Sequence, residues 1–183
     1  MLELVAARQQ DRDLVARLEQ LYSYDFSAFT DCALSPDGVF PAVKSFREIW
    51  KDPELFTFIL CANTEPAGLA IVRRLAHEAY DMEQFFVLIK FRRTGAGTAA
   101  AQALFQKFPG AWTVRQIPQN KTARSFWHKV IDPYTNGAFE ETKTPQITQS
   151  FTCQARSGTL ISRALSTPTD RSIPSPHAPQ PPQ

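Results

Sequence analysis

The stretch that most constrains this chain runs from Phe85 to Ala103, FFVLIKFRRTGAGTAAAQA. It reads as an apolar strand, a basic turn narrowing to Gly95-Ala96-Gly97, and the opening of a helix. The first N–H groups of a helix have no intrahelical acceptor, and the helix dipole favours negative charge beside them. Glycines let the backbone approach a ligand and take positive φ without a Cβ penalty. Arg92 and Arg93, just before the turn, can add charge-assisted bonds to oxygens. An anion is expected here.

The flanks place this turn in a longer order. Leu2 to Ala6 reads as an edge strand. Asp11 looks like the N-cap of a helix whose apolar face is Leu14, Val15, Leu18, Leu21 and Tyr22. Tyr24, Asp25, Phe26 and Phe29 follow as an aromatic cluster beyond the helix. A short helix is expected around Ser45 to Lys51. Leu55 to Ala62 and Leu69 to Leu75 flank a turn at Asn63–Gly68 and read as a hairpin. Asp81 to Ile89 is the strand feeding the glycine turn. Ala100, Ala101, Leu104, Phe105 and Phe108 have helical spacing, and Pro109-Gly110 ends that helix. Trp112 to Ile117 is a strand; Asn120 caps a helix carrying Ala123, Phe126, Trp127 and Val130, which Pro133 closes. Phe139 to Thr142 and Ser150 to Cys153 supply two last strands.

Composition excludes several classes. A net charge of +2 over 183 residues is no nucleic-acid footprint, and no apolar run approaches the roughly 20 residues of a membrane span. The N-terminus MLELVAARQQ lacks the features of a secretion signal, so a cytosolic protein is expected. Cys32, Cys61 and Cys153 lie far apart with no histidine at ligand spacing, which reads as free thiols and no metal. One folded domain is expected over residues 1–154. Residues 155–183, rich in proline and poor in large apolar side chains, read as a disordered tail.

Gly95-Ala96-Gly97-Thr98-Ala99-Ala100 also fits the dinucleotide fingerprint G-x-G-x-x-A. Against it, several strands precede the turn, two of them in a hairpin. Arg115-Gln116 also stands where an acidic ribose ligand belongs. A kinase-type P-loop fails because no Gly-Lys-Ser/Thr follows.

The element order resembles the GNAT acyltransferase superfamily. The likeness reaches residues: Arg92, Arg93, Thr94, Gly95, Ala96 and Gly97 match that family's pyrophosphate motif, and Asn120 with Ala123 matches a downstream Asn and Ala three residues on. The resemblance implies an α/β (α+β) fold, a mixed and mostly antiparallel sheet of six or seven strands with helices on both faces. It implies acetyl-coenzyme A as donor. Its pantetheine arm would pair with the main chain at Val87, Leu88 and Ile89. Amides from Arg93 through Thr98, with Arg92 and Arg93 beside them, would hold the diphosphate, and Asn120 and Trp127 would border the cofactor. The partners implied are this donor and an amine acceptor, without nucleic acid or membrane; a homodimer is an open option.

For the chemistry, an amine normally protonated near pH 7 needs a base. Glu83 is the first candidate and Asp81 the second, on one face by the two-residue strand period. An N–H from the Val87–Leu88 region would steady the oxyanion. Many relatives place a tyrosine seven residues after the Asn as acid; Trp127 stands there. Either the thiolate leaves unassisted, or Tyr134 or a water helps, and Trp127 reads best as core packing. His77 and His128 read as surface residues. Tyr24, Phe26 and Tyr80 are candidate acceptor contacts. The alternative to an enzyme is an acyl-coenzyme A-binding sensor of the same fold.

Overall fold

A computed structural model describes residues 2–153; the side chains of residues 44 and 45 lie outside that description, as does the expected tail. Among the described residues, seven strands and four α-helices follow the expected order. Strand β1 (Leu2–Ala6) leads through a short turn into α1 (Arg12–Phe26) and then the brief α2 (Lys44–Glu48). The strands β2 (Leu55–Ala62), β3 (Glu65–Ala76) and β4 (Ala79–Val87) form a meander. Helix α3 (Ala96–Lys107), β5 (Gly110–Gln116), α4 (Lys121–Thr135), β6 (Phe139–Thr142) and β7 (Ile147–Cys153) complete it. The sheet order is β1-β2-β3-β4-β5-β7-β6, antiparallel throughout except between β4 and β5.

Two apolar layers hold the helices to opposite faces. On one, Val15 and Leu18 of α1 and Phe46 of α2 meet Leu55, Ile59, Leu69 and Ile71. On the other, Ala100, Ala101, Leu104 and Phe105 of α3 and Trp127, Val130 and Ile131 of α4 cover Phe58, Leu60, Val72, Trp112 and Val114. The alternation along β2 and β3 sends successive residues to the two layers, as the strand period requires. The loop between α1 and α2 is tied down by α1: Gln20 exchanges side-chain bonds with the Phe40 backbone, and Glu19 Oε1 accepts from the Val43 N–H.

Several boundaries differ from the sequence expectation. Helix α1 continues through the aromatic cluster because Tyr22 and Phe26, four residues apart, stack at 5.5 Å. Leu21 lies off the buried stripe and is exposed. The feeding strand runs Ala79–Val87 and stops before Leu88, because Ile89–Phe91 winds into a 3-10 turn. Pro133 sits inside the last turn of α4, which closes at Asn136 in left-handed conformation. That late in a helix, a missing N–H removes only one bond.

Candidate active site

The fork between β4 and β5 is the centre of the site. These parallel strands pair only from Ala79↔Ala111 to Met82↔Val114. Beyond that, β4 runs on to Val87 and β5 to Gln116 without pairing to each other. The opposite edge of β4 stays paired to β3, where the Leu88 N–H donates to the Ala67 carbonyl at 2.8 Å. The antiparallel ladder therefore turns the N–H groups of Val87 and Phe85 toward the fork. Of the N–H groups expected to meet the donor, that of Leu88 is spent inside the sheet. Ile89 lies in the 3-10 turn with its side chain exposed.

A bulge shapes the α1-facing side of β4. Val72 pairs with Met82 and Ile71 with Gln84, so Glu83 is the extra residue. Asp81 lies opposite Arg73 and Phe86 opposite Leu69, on the α1 face. Glu83 joins them there, with Oε2 accepting from Arg73 Nε at 3.2 Å. Asp81 and Glu83 thus share a face. Arg73 also reaches Asp52 at 2.8 Å and Glu48 at 3.5 Å. Met82 and Phe85 face the other way, and the Phe85 ring packs on Phe126 and Trp127.

Asp81 is fully buried. Its Oδ2 accepts from Arg115 at 2.5 Å, and its Oδ1 has no hydrogen-bond partner. Burial pushes its pKa up to about 6; Arg115 opposes that rise and the nearby Glu83 adds to it. A carboxyl near 3.8 when unfolded and near 6 when folded takes up a proton on folding between those values. Its stability contribution is complete below about pH 4 and is lost as pH climbs through 6, by roughly 3 kcal/mol. Asp81→Asn is expected to lack that loss. Urea unfolding at pH 4 and pH 7 measures it, and an unchanged pH slope in the variant would refute the assignment.

Tyr22 completes this face. Its hydroxyl is pushed well above the usual phenol range, first by burial and then by Glu83 and Asp25. Sequence reading gave Tyr22, Arg73 and Arg115 no role in the site. The visible signal for Arg115 was alternation: Trp112 and Val114 are buried, and Thr113 and Arg115 are not.

At the other end of the fork lies the start of α3. Gly95 adopts φ 87°, the left-handed cap that only glycine takes without strain. The first intrahelical bond runs from the Ala99 N–H to the Gly95 carbonyl. The N–H groups of Gly97 and Thr98 therefore have no helical acceptor. Thr94 Oγ1 donates to the Phe91 carbonyl at 2.7 Å, holding the turn, and the Ala96 N–H reaches Thr94 Oγ1 at 3.4 Å. Close packing also limits Gly97, since a Cβ there would stand 3.2 Å from the Phe126 ring. Gly95→Ala should cost about 1–2 kcal/mol of stability through left-handed strain. Urea unfolding of the variant beside the parent measures that loss.

The two arginines of the turn diverge. Arg92 folds back: its Nε donates to the Val87 carbonyl at 2.7 Å, and its terminal nitrogens hold Asp25 of α1 at 2.9 and 3.1 Å. Arg93, with φ 61°, is exposed beside the turn. Asn120 Oδ1 accepts the Ala123 N–H at 2.9 Å, so the capping role is what the geometry displays. Trp127 is buried among Phe85, Phe105 and Phe126. The Tyr134 ring packs on Phe105, against the core layer. Tyr80 packs at a tilt against Phe108 and Trp112 at the paired end of β4, away from the fork. Tyr24 is exposed at the end of α1, and Phe26 stacks on Tyr22 and meets Phe29 edge-on. His77 and His128 are both exposed. Among the described residues no group of three or more His, Cys, Asp or Glu could hold a metal ion, and no helix is long and apolar enough to cross a membrane.

Comparison with known proteins agrees with this fold. The model of the acetyltransferase (GNAT) family matches residues 17–131. An acetyltransferase from Thermus thermophilus superposes with a TM-score of 0.63 at 16% identity, over 83% of this chain and 97% of that one. The ribosomal-protein-S18-alanine N-acetyltransferase from Escherichia coli gives 0.56 at 15% identity, over 84% and 95%. The PaiA N-acetyltransferase from Thermoplasma acidophilum, solved in complex with coenzyme A, gives 0.56 at 10% identity, over 83% and 99%. At such identities the likeness is one of fold. The search of curated proteins returns no match.

Proposed function

The chain belongs to the acetyltransferase (GNAT) family, and from that premise we propose that it moves an acetyl group from acetyl-coenzyme A to a primary amine. The observation that carries this reading is the short β4–β5 pairing: past Met82 and Val114 two strands border an open wedge. Beyond the end of β4 the chain turns through Gly95 into α3, whose first N–H groups have no helical acceptor. An extended arm can lie in such a wedge as an added strand, and a diphosphate suits the helix start.

Acetyl-coenzyme A, when bound, would supply a thioester carbonyl carbon to which the amine nitrogen bonds as the C–S bond breaks and sulfur keeps the electron pair. The Val87 N–H, turned toward the wedge, would donate to the carbonyl oxygen as charge grows there. Glu83, oriented by Arg73, would take the proton that the nitrogen sheds. The Gly97 and Thr98 amides, with Arg93, would hold the diphosphate. Thiols ionise near pH 8.5, so the sulfur can depart without a dedicated acid. That suits a site where Trp127 is packed in the core and the Tyr134 ring lies against Phe105. Tyr24 and Phe26, at the end of α1, would border the acceptor.

The test is incubation with acetyl-coenzyme A and a panel of amines, following free thiol and product mass. Amine-dependent thiol release is expected. Tight coenzyme A binding with no transfer to any amine would instead support a sensor module. The observation favouring that second reading is Trp127, buried in the position where relatives often carry tyrosine.

A further inference from the structure

The fork carries one guanidinium with donors to spare. Arg115 is the first residue of β5 past the last β4–β5 pair, so it stands where the wedge opens. It lies two residues from Thr113, which is opposite Asp81, and so shares the α1 face with Asp81 and Glu83. Among the described residues its one partner is Asp81 Oδ2. The Arg115 side chain is 46% exposed whereas Asp81 is 0% exposed. A guanidinium has five N–H donors in a fixed fork, and a buried carboxylate on one side orients the rest outward.

The other arginines of this face are engaged. Arg73 is bound by Glu48, Asp52 and Glu83. Arg92 is bound by Asp25 and the Val87 carbonyl. Beyond Arg115 the α1 and α2 layer ends, and the same face of β5 and β7 continues as Thr113, Thr148 and Ser150, none of them buried. Glu140, opposite Ser150 on β6, is the acidic group of that platform. The surface beside the amine-activating carboxylate is thus hydroxyl-lined with an oriented cation at its inner edge. A plain alkyl amine has nothing to place there.

We propose that the acceptor carries an anionic group, a carboxylate or phosphate, besides its amine, and that Arg115 binds it. This rests on the transfer reading above and specifies its substrate class. The amine meets Glu83 at the bulge while the anion takes the outward N–H groups of Arg115. Asp81 is a positioning residue, since it is buried behind the guanidinium and acts through it.

The experiment compares matched acceptors with acetyl-coenzyme A: lysine against cadaverine, and phosphoethanolamine against ethanolamine. At least one anionic member is expected to exceed its neutral counterpart by tenfold or more in kcat/KM, and which pair does so identifies the anion. Arg115→Gln should bring that ratio to within twofold of one by raising KM for the anionic member, with kcat for it little changed. Arg115→Lys should restore part of the preference. Transfer to amines without preference, or a preference that survives Arg115→Gln, overturns the proposal while leaving the transferase reading intact. If no amine is acetylated, the transferase reading fails separately. Calorimetric titration of lysine and phosphoethanolamine into the coenzyme A complex then reads Arg115 on its own: tenfold weaker binding in the Gln variant supports the site, and no binding or equal binding overturns it.

Discussion

Replacing Glu83 with Gln is expected to lower kcat/KM for the amine acceptor by about 100-fold or more at pH 7, the range of a general base removed. The substitution keeps the size of the side chain and an oxygen for Arg73, which now holds Glu83 at 3.2 Å. The bulge, the ion pairs of Arg73 to Asp52 and Glu48, and the turn at Gly95 do not depend on that charge. Coenzyme A affinity should therefore stay within about twofold, measured by calorimetry. The deficit should shrink as pH rises toward the amine's own pKa of roughly 10.4, because an amine already deprotonated needs no base. A variant within threefold of the parent at neutral pH would remove Glu83 from the reaction. Attention would then move to Asp81, whose pKa near 6 suits a base but whose burial keeps it from touching an acceptor directly.

A large effect on stability is expected at Gly110, where alanine should cost about 4 kcal/mol or more. Gly110 has φ 136°, and a Cβ there would lie 2.8 Å from the Glu78 carbonyl carbon and closer still to its oxygen. The obstacle is backbone, so no side-chain rotation relieves it. Left-handed strain contributes on the order of 1–3 kcal/mol. Displacing Glu78 also breaks the bond from the Ala111 N–H to the Glu78 carbonyl, worth about 1–3 kcal/mol when left unsatisfied. That bond sits at the start of the β4–β5 pairing, beside Ala79↔Ala111. With only four pairs between these strands, losing the first should loosen the fork as well. Urea unfolding gives the stability loss, and amide exchange at Met82 and Thr113 reports the pairing. Full stability in Gly110→Ala would show that the β3–β4 turn yields where the structure holds it rigid.

Much of the scaffold was legible in one dimension. The period-two runs, the helical stripes and the Gly95–Gly97 turn led to the observed element order, because burial of one face imposes a period that needs no partner to be recognised. Asn120 was readable as a cap for the same reason, its bond reaching only three residues along. Boundaries slipped where tertiary contacts extended an element: the Tyr22–Phe26 stack lengthened α1, and the turn at Ile89–Phe91 shortened β4.

The amino-acid sequence by itself determined the period of most core faces, where the chain turns, and that a glycine turn opens α3. The tertiary structure alone decided how the charges are shared. Arg92, expected at a diphosphate, is held by Asp25 from 67 residues away. Arg115, read only as a missing ribose ligand, is aimed by Asp81 from 34 residues away. Whether two strands part after four pairs, and which of three arginines keeps its donors, depends on packing between distant segments. Periodicity specifies a face; only the folded chain selects the partner on it.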